Sequence, residues 1–336
     1  MRILNVEAAH FVPSWRALGH QVLTLGTNPD ADVTIPSVIQ HDRLTDILES
    51  LGFAPDLLFW CDANHPPLVT GMEKLPFLCA GYSIYSKTHL WHAGFAAGFD
   101  LFFAAQKKFV RENAARKWPH CLQWLPVFCD PEREYDYQQP RLFDVSFFGS
   151  VDPSGNPQRK DFLKGFRNAH PLTIRHENAV GVCNKSRVLL LQSRSGEFNF
   201  LPVRAAACGA VPLLDHSFEE LEGLFTPGED CLVYERGDFL DAASVVRECL
   251  AEPMRLRQLA ERGKHKARSC HTVHKRAQKI LERVSASLRS GTSRRLTNIQ
   301  EIKDQVSHSY LILATNEKIS MDRNLRQFYF DQAQTT

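Results

Sequence analysis

The sequence predicts an α/β protein made of two Rossmann-like, doubly wound domains that face each other across a cleft. Three observations point there. The chain has 336 residues, more than a single hydrophobic core usually organises. Short apolar runs of strand length alternate with stretches of helical period along most of it. A polar segment with two prolines and no apolar period, "PEREYDYQQPR" (131–141), divides the pattern in two.

In the first half, "RILNV" (2–6) reads as a buried strand, "FVPSWRALGH" (11–20) as a helix stopping near Gly19, and "QVLTLG" (21–26) as a second strand. Strand, helix and strand at this spacing make a βαβ unit, which requires a parallel sheet. "HDRLTDILESLGF" (41–53) is an amphipathic helix, and "PDLLFWCD" (55–62) is a strand that carries Asp62 into the loop "ANHPP". "LPFLCAGYS" (75–83) and "LFFAAQ" (101–106) are strands, "HAGFAAGFD" (92–100) and "KKFVRENAARK" (107–117) are helices, and "CLQWLPVFCD" (121–130) closes the half. The expected domain covers 1–130, with 131–141 as linker.

The second half repeats the scheme over 142–288. "FDVSFFGS" (143–150), "LTIRH" (172–176), "RVLLLQS" (187–193), "AVPLLD" (210–215) and "CLVYE" (231–235) are its strands. "RKDFLKGFRNA" (159–169), a short run from Val203 to Cys208, and the segments 239–251, 253–269 and 273–288 are its helices. "RSGTSRR" (289–295) interrupts the pattern, and 289–336 is a polar, helical extension.

Composition excludes several classes. Forty Lys and Arg against 38 Asp and Glu give a net charge of +2, which supplies no field for nucleic acid or a membrane surface. The basic run "RQLAERGKHKAR" (257–268) is interleaved with Glu261 and lacks aromatics, so it reads as a solvated helix face. Nine scattered cysteines with no C-x-x-C pair argue against a disulfide framework or a zinc ribbon and for a reducing compartment. No run is long enough to span a bilayer, and "RILNV" follows Met1 directly, so a cytoplasmic location is expected.

Neither G-x-x-x-x-G-K-[ST] nor G-x-G-x-x-G is present, which sets aside P-loop and dinucleotide fingerprints. Two glycines remain as candidates for binding a diphosphate. Gly149 and Ser150 end a strand before a flexible loop and Arg159 begins the next helix, so backbone N–H groups there either meet a phosphate or only serve a tight turn. In "FNFLPVRAAACGAVPLLD" (198–215), Gly209 turns a helix into a strand, and Pro202 suits the helix start. Glu197 and Asn199 precede that helix; either they meet sugar hydroxyls, or Asn199 caps the helix and Glu197 is solvated. The expectation is that Gly149 and Gly209 open on one crevice.

Five ordered pieces carry a resemblance. "WLPVFCDP", "DVSFFGSVDPSGNPQRKDFL", "NFLPVRAAACGAVPLLD", "LFTPGEDCLVYERGDFLDA" and "HTVHKRAQKIL" resemble, in order and spacing, the sugar-nucleotide half of the CgeB-like (spore maturation protein) glycosyltransferases. These belong to the group-1 transferases of GT-B fold. The resemblance runs from about residue 120 to 285 and is weaker before it, through "RALGHQVLTL" and "FDLFFAAQKKFV". It implies transfer of a sugar from a nucleotide donor to a hydroxyl of a glycan, lipid-linked or protein acceptor, with the sugar nucleotide as substrate, no cofactor and no metal. It also implies a phosphate-binding base near Lys185. Alignment on "AAACG" puts Asn199 on the family asparagine, but Arg204 on a glutamate and Gly196 on the first Glu of E-x7-E. A guanidinium offers donors only, so Arg204 cannot accept from ribose hydroxyls. It either grips a donor phosphate or carboxylate, or pairs with an acid such as Asp215. Two further functions stay open: a non-catalytic sugar-nucleotide or glycan-binding protein, and a GT-B sugar-nucleotide epimerase.

Transfer needs the leaving diphosphate neutralised and the acceptor hydroxyl deprotonated. Arg159, Lys185 and Arg204 are the cations for the first task. For the second, Asp62 and His65 lie beyond one strand end and His89 and His92 beyond another, with Glu7 and His10 after the first strand. "CHTVH" (270–274) sets Cys270, His271 and His274 close together, which either suggests a metal or opens the last helix of the domain.

Overall fold

The computed structural model describes residues 1–114, 121–151, 156–192, 197–291 and 293–335. It divides into two compact units, 1–125 with 277–336, and 126–276. The first division falls at Leu125/Pro126 and the second at Arg276/Ala277. The segment 131–141 therefore belongs to the second unit, and 277–288 to the first.

The first unit begins β1 (Arg2–Glu7), α1 (Val12–Ala17), β2 (Gln21–Gly26), β3 (Val33–Thr34), β4 (Ile39–Gln40), α2 (His41–Ser50), β5 (Leu57–Cys61) and β6 (Val69–Thr70). It continues with β7 (Leu78–Ser83), α3 (His92–Phe95), β8 (Leu101–Ala104), α4 (Lys107–Asn113) and β9 (Cys121–Trp124). A seven-stranded sheet runs β3-β2-β1-β5-β7-β8-β9, and every pairing in it is parallel. β5, "LLFWC", is buried along its whole length, as a central strand covered on both faces must be. Trp60 anchors one face, ringed by Trp91, Phe95, Phe99 and Phe102.

The second unit holds β10 (Phe143–Phe148), α5 (Pro157–Ala169), β11 (Thr173–Arg175), α6 (Ala179–Lys185), β12 (Ser186–Leu190), α7 (Leu201–Ala207) and β13 (Val211–Asp215). The short α8 (Leu221–Leu224), β14 (Leu232–Tyr234), α9 (Phe239–Ala251) and α10 (Pro253–Cys270) complete it. Its sheet runs β11-β10-β12-β13-β14, again parallel throughout. The residues of α6, "AVGVCNK", contain no sequence signal read above; the Asn178 side chain caps this helix by accepting from Gly181 N.

α11 (Val273–Ser290) starts in the second unit and continues in the first. α12 (Arg294–Thr297), α13 (Ile299–Thr315) and α14 (Arg323–Thr335) then pack on the first unit's core through Ile302, Val306, Tyr310, Leu313 and Tyr329. The polar extension thus has an apolar inner face. Arg295, 0% exposed, pairs with Asp100 at 3.2 Å and donates to the carbonyls of Met72, Glu73, Leu75 and Phe77. α3 approaches α13 so closely that a Cβ on Gly94 would lie 2.2 Å from the carbonyl oxygen of Gln305.

Candidate functional site

In a parallel α/β sheet, ligands bind beyond the carboxyl ends of the strands, where the order reverses. In the first unit that place lies between β1 and β5, whose last residues are paired, Glu7 with Cys61. Asp62 follows at once and is 1% exposed. Its Oδ2 accepts from the N–H groups of Ile84 and Tyr85, both at 2.9 Å, and its Oδ1 from Asn64 N at 2.9 Å. Three backbone donors commit Asp62 to holding two loops together, so it does not present a free carboxylate to an acceptor. His89 Nε2 meets Asn64 Oδ1 at 2.9 Å, which joins the same loops a second time. Neighbouring His92 is fully buried, bonds Ser83 Oγ at 2.8 Å, and is kept neutral by burial, which lowers its pKa to about 4.

His65 differs from these. Its Nδ1 lies 2.7 Å from the carbonyl oxygen of Pro66. A carbonyl only accepts, so Nδ1 carries the hydrogen and Nε2 of the neutral ring carries the lone pair. The side chain is 38% exposed, and Glu7 Oε2 sits 4.0 Å behind Nδ1. Glu7 has a φ of +74° and an inaccessible carboxyl group whose pKa burial raises well above the ordinary range; Oε1 accepts from Leu68 N at 2.8 Å. Burial also lowers the pKa of His10. Of the predicted acceptor-side residues, then, Asp62, His65 and His89 share one sheet edge, and His65 combines a partly exposed side chain with a defined base nitrogen.

In the second unit the carboxyl edge follows β10 and β12. Gly149, with φ +136°, bonds through its N–H to Arg175 O at 3.0 Å. Arg159, 5% exposed, donates to Ser150 O and Gln192 O, so its guanidinium ties the ends of β10 and β12 together. Gln192 continues the tie to the Tyr234 hydroxyl at 2.8 Å, at the end of β14. Residues 152–155 of the loop and Gly196 lie outside the described residues. Glu197 is 6% exposed rather than solvated. Asn199 Oδ1 accepts from Leu201 N at 2.9 Å and so holds the start of α7.

Two predicted donor residues stand at the other edge. Lys185 and Gly209 each precede a strand, β12 and β13, that runs parallel to β10, so both lie at the amino end of the sheet while Gly149 lies at the carboxyl end. The expected single crevice for Gly149 and Gly209 is therefore not formed. Lys185 is exposed, and its carbonyl accepts from Leu142 N. Gly209, φ +78°, packs so tightly on Arg141 and Asp136 that a Cβ would meet Arg141 Nη2 at 2.6 Å. Arg141 in turn donates to the carbonyls of Cys183, Asn184 and Cys208, which close α6 and α7.

Arg204 pairs with Glu134, Nε to Oε1 at 2.5 Å, while Glu134 Oε2 accepts from Asp130 N at 3.0 Å. Asp215 has other partners: it accepts from Ser217 and lies 3.9 Å from Arg236. In "CHTVH", His271 Nδ1 accepts from Arg276 at 2.9 Å and its backbone bonds Cys129, which makes it part of the structure of this unit. Sequence reasoning missed Glu134, whose partner lies 70 positions away, and Asn64, whose loop it had marked.

Residues 134–282 match the family described as glycosyl transferase-like. The chain matches no curated protein. Among solved structures it is similar to sucrose-phosphate synthase from Thermosynechococcus elongatus, at 12% identity and TM-score 0.61 over 87% of this chain and 100% of that one. A glycosyltransferase from Rickettsia africae ESF-5 aligns at 10% identity and TM-score 0.63, over 85% and 98% of the two chains. HepE of Anabaena, solved in complex with UDP-glucose, aligns at 11% identity and TM-score 0.61, over 85% and 100%. The fold is GT-B. Within this GT-B chain the family match falls almost wholly on the second unit and takes in Gly149, Arg159, Glu197, Arg204 and Glu134. Asp62, His65 and His89, in the first GT-B unit, lie outside the match.

Proposed function

We propose that this protein is a CgeB-like glycosyltransferase that moves a sugar from a nucleotide donor to a hydroxyl of a glycan, lipid-linked or protein acceptor. The observation that carries the reading is the division of labour between two sheet edges. The glycosyl transferase-like match covers the unit with Gly149, Ser150 and Glu197 at its carboxyl edge, and the other unit offers a histidine with a defined base nitrogen at its own. HepE, similar in fold, was solved with UDP-glucose, which makes a uridine donor the first to test.

In this reading the donor diphosphate is bound at the carboxyl edge of β10 and β12, where Arg159 and Gln192 fix the loops around Gly149 and Ser150. His65 Nε2 takes the proton of the acceptor hydroxyl as its oxygen attacks the anomeric carbon; the bond from that carbon to the diphosphate oxygen breaks, and the nucleoside diphosphate leaves. No metal is required by this scheme. Asp62 and His89 shape the loops that carry His65. Arg204 holds Glu134 and so brings a carboxylate back beside the position where the family resemblance has one. The same pair favours one other reading, a sugar-nucleotide-binding protein without turnover, because it occupies the arginine that was free to meet the donor.

A panel of UDP-, GDP-, TDP- and CMP-sugars decides between them. The expected result is a thermal shift with one base only, together with release of that nucleoside diphosphate. His65→Ala should lower turnover about 10²- to 10⁴-fold, the usual weight of a general base, and leave the thermal shift intact. Binding without release under every donor and acceptor would leave the non-catalytic reading standing.

A further inference from the structure

The loop that carries His65 is held from the far end of the chain. Tyr329 on α14, 1% exposed, donates its hydroxyl to Pro67 O at 2.7 Å. Thr70 Oγ1 donates to Gln332 Oε1, one helical turn on, at 3.1 Å. Tyr310 on α13 accepts from Gly71 N at 3.1 Å, and its ring lies 6.2 Å from that of Tyr329. From the other side Glu7 takes Leu68 N, and Leu68 O takes Ile39 N. Pro67, Leu68, Thr70 and Gly71 are thus each tied to an element outside the loop. Pro66 and Pro67 have φ locked near −65°, so a constraint on the Pro67 carbonyl passes with little slack to the Pro66 carbonyl, which sets the His65 ring.

We propose that Tyr329 and Gln332 are positioning residues that act through His65: the C-terminal helices fix the segment 64–70 so that Nε2 is aimed at the acceptor. This rests on the reading of His65 as the base. It gives the C-terminal extension a task in the reaction beyond covering the core.

Tyr329→Phe removes one hydroxyl and keeps the ring; Thr70→Val cuts the second tie and serves if the first variant does not fold. Two readouts are needed on the full chain. Amide exchange at Asn64 and Leu68 should accelerate about tenfold or more, with β1 amides unchanged. With the sugar nucleotide that the wild type turns over, or UDP-glucose as first probe, Tyr329→Phe should lower kcat about tenfold at unchanged donor KM. The double variant with His65→Ala should be no slower than His65→Ala alone, because a positioning residue has nothing left to position. Unaltered exchange at Leu68, or losses that multiply in the double variant, would overturn the proposal. A wild type that turns over no donor would instead remove the transferase reading, and the exchange result would still decide whether α14 holds the loop.

Discussion

Arg204 and Glu134 form an ion pair between residues 70 positions apart. Glu134 has a side chain only 9% exposed, and Arg204 is its cationic partner. Truncating Arg204 to Ala would leave that carboxylate nearly buried and unpaired, which costs about 1–3 kcal/mol after allowance for the partial exposure of the arginine. Urea denaturation should report the loss, and Arg204→Lys should recover part of it, since a point charge replaces the fork but not its geometry. If Arg204→Ala keeps full stability, the pair is not what holds this flank. The sequence revealed that position 204 is unusual and that a paired acid was one outcome; it did not reveal the acid. An ion pair between residues 70 apart leaves no periodic trace, and Asp215 was as good a partner on paper.

Among the elements, the strands were legible because parallel strands buried on both faces are written as apolar runs, "LLFWC" most plainly. α6 was not, because a short helix with Gly181 and Asn184 in it has little period to detect. Lys185 and Gly209 were placed at the wrong edge for a reason of direction: a residue that precedes a strand belongs to the amino edge, whatever its chemistry. The C-terminal helices were legible as helices but not as part of the first core, since their apolar positions only make sense against Trp91, Phe95 and Phe99 in three dimensions. Their anchor is Arg295. Arg295→Ala would strand Asp100 and leave four carbonyls without this donor, at a cost of about 3–5 kcal/mol. Limited proteolysis should then cut after Arg289 well before any other site; cleavage unchanged from the wild type would show that α13 and α14 stay docked without it. Gly94→Val should act in the same direction by pushing α13 away from α3.

Across the whole molecule, two buried histidines weaken the folded state in acid. His92 in one unit and His271 in the other have pKa values lowered by burial from 6.5 to about 4. Between those values the unfolded chain binds protons that the folded chain refuses, so stability is lost as pH falls from about 6.5 towards 4, by up to about 3 kcal/mol for each. Glu7, raised well above 4.5, works in the opposite sense and favours the folded state as pH falls. Melting temperature should therefore decline steeply below pH 6.5, and His92→Gln should flatten the decline; an equally steep decline in that variant would remove His92 as a cause.

In the proposed function the second unit binds an activated sugar's diphosphate at the carboxyl edge of its sheet. Hydrogen exchange with and without saturating UDP tests it most directly. Slowed exchange is expected at Gly149, Ser150 and residues 197–201, with residues 185–187 and Gly209 at the amino edge unaffected. Protection confined to Lys185 and Gly209, or none anywhere in 126–276 while UDP is bound, would contradict it.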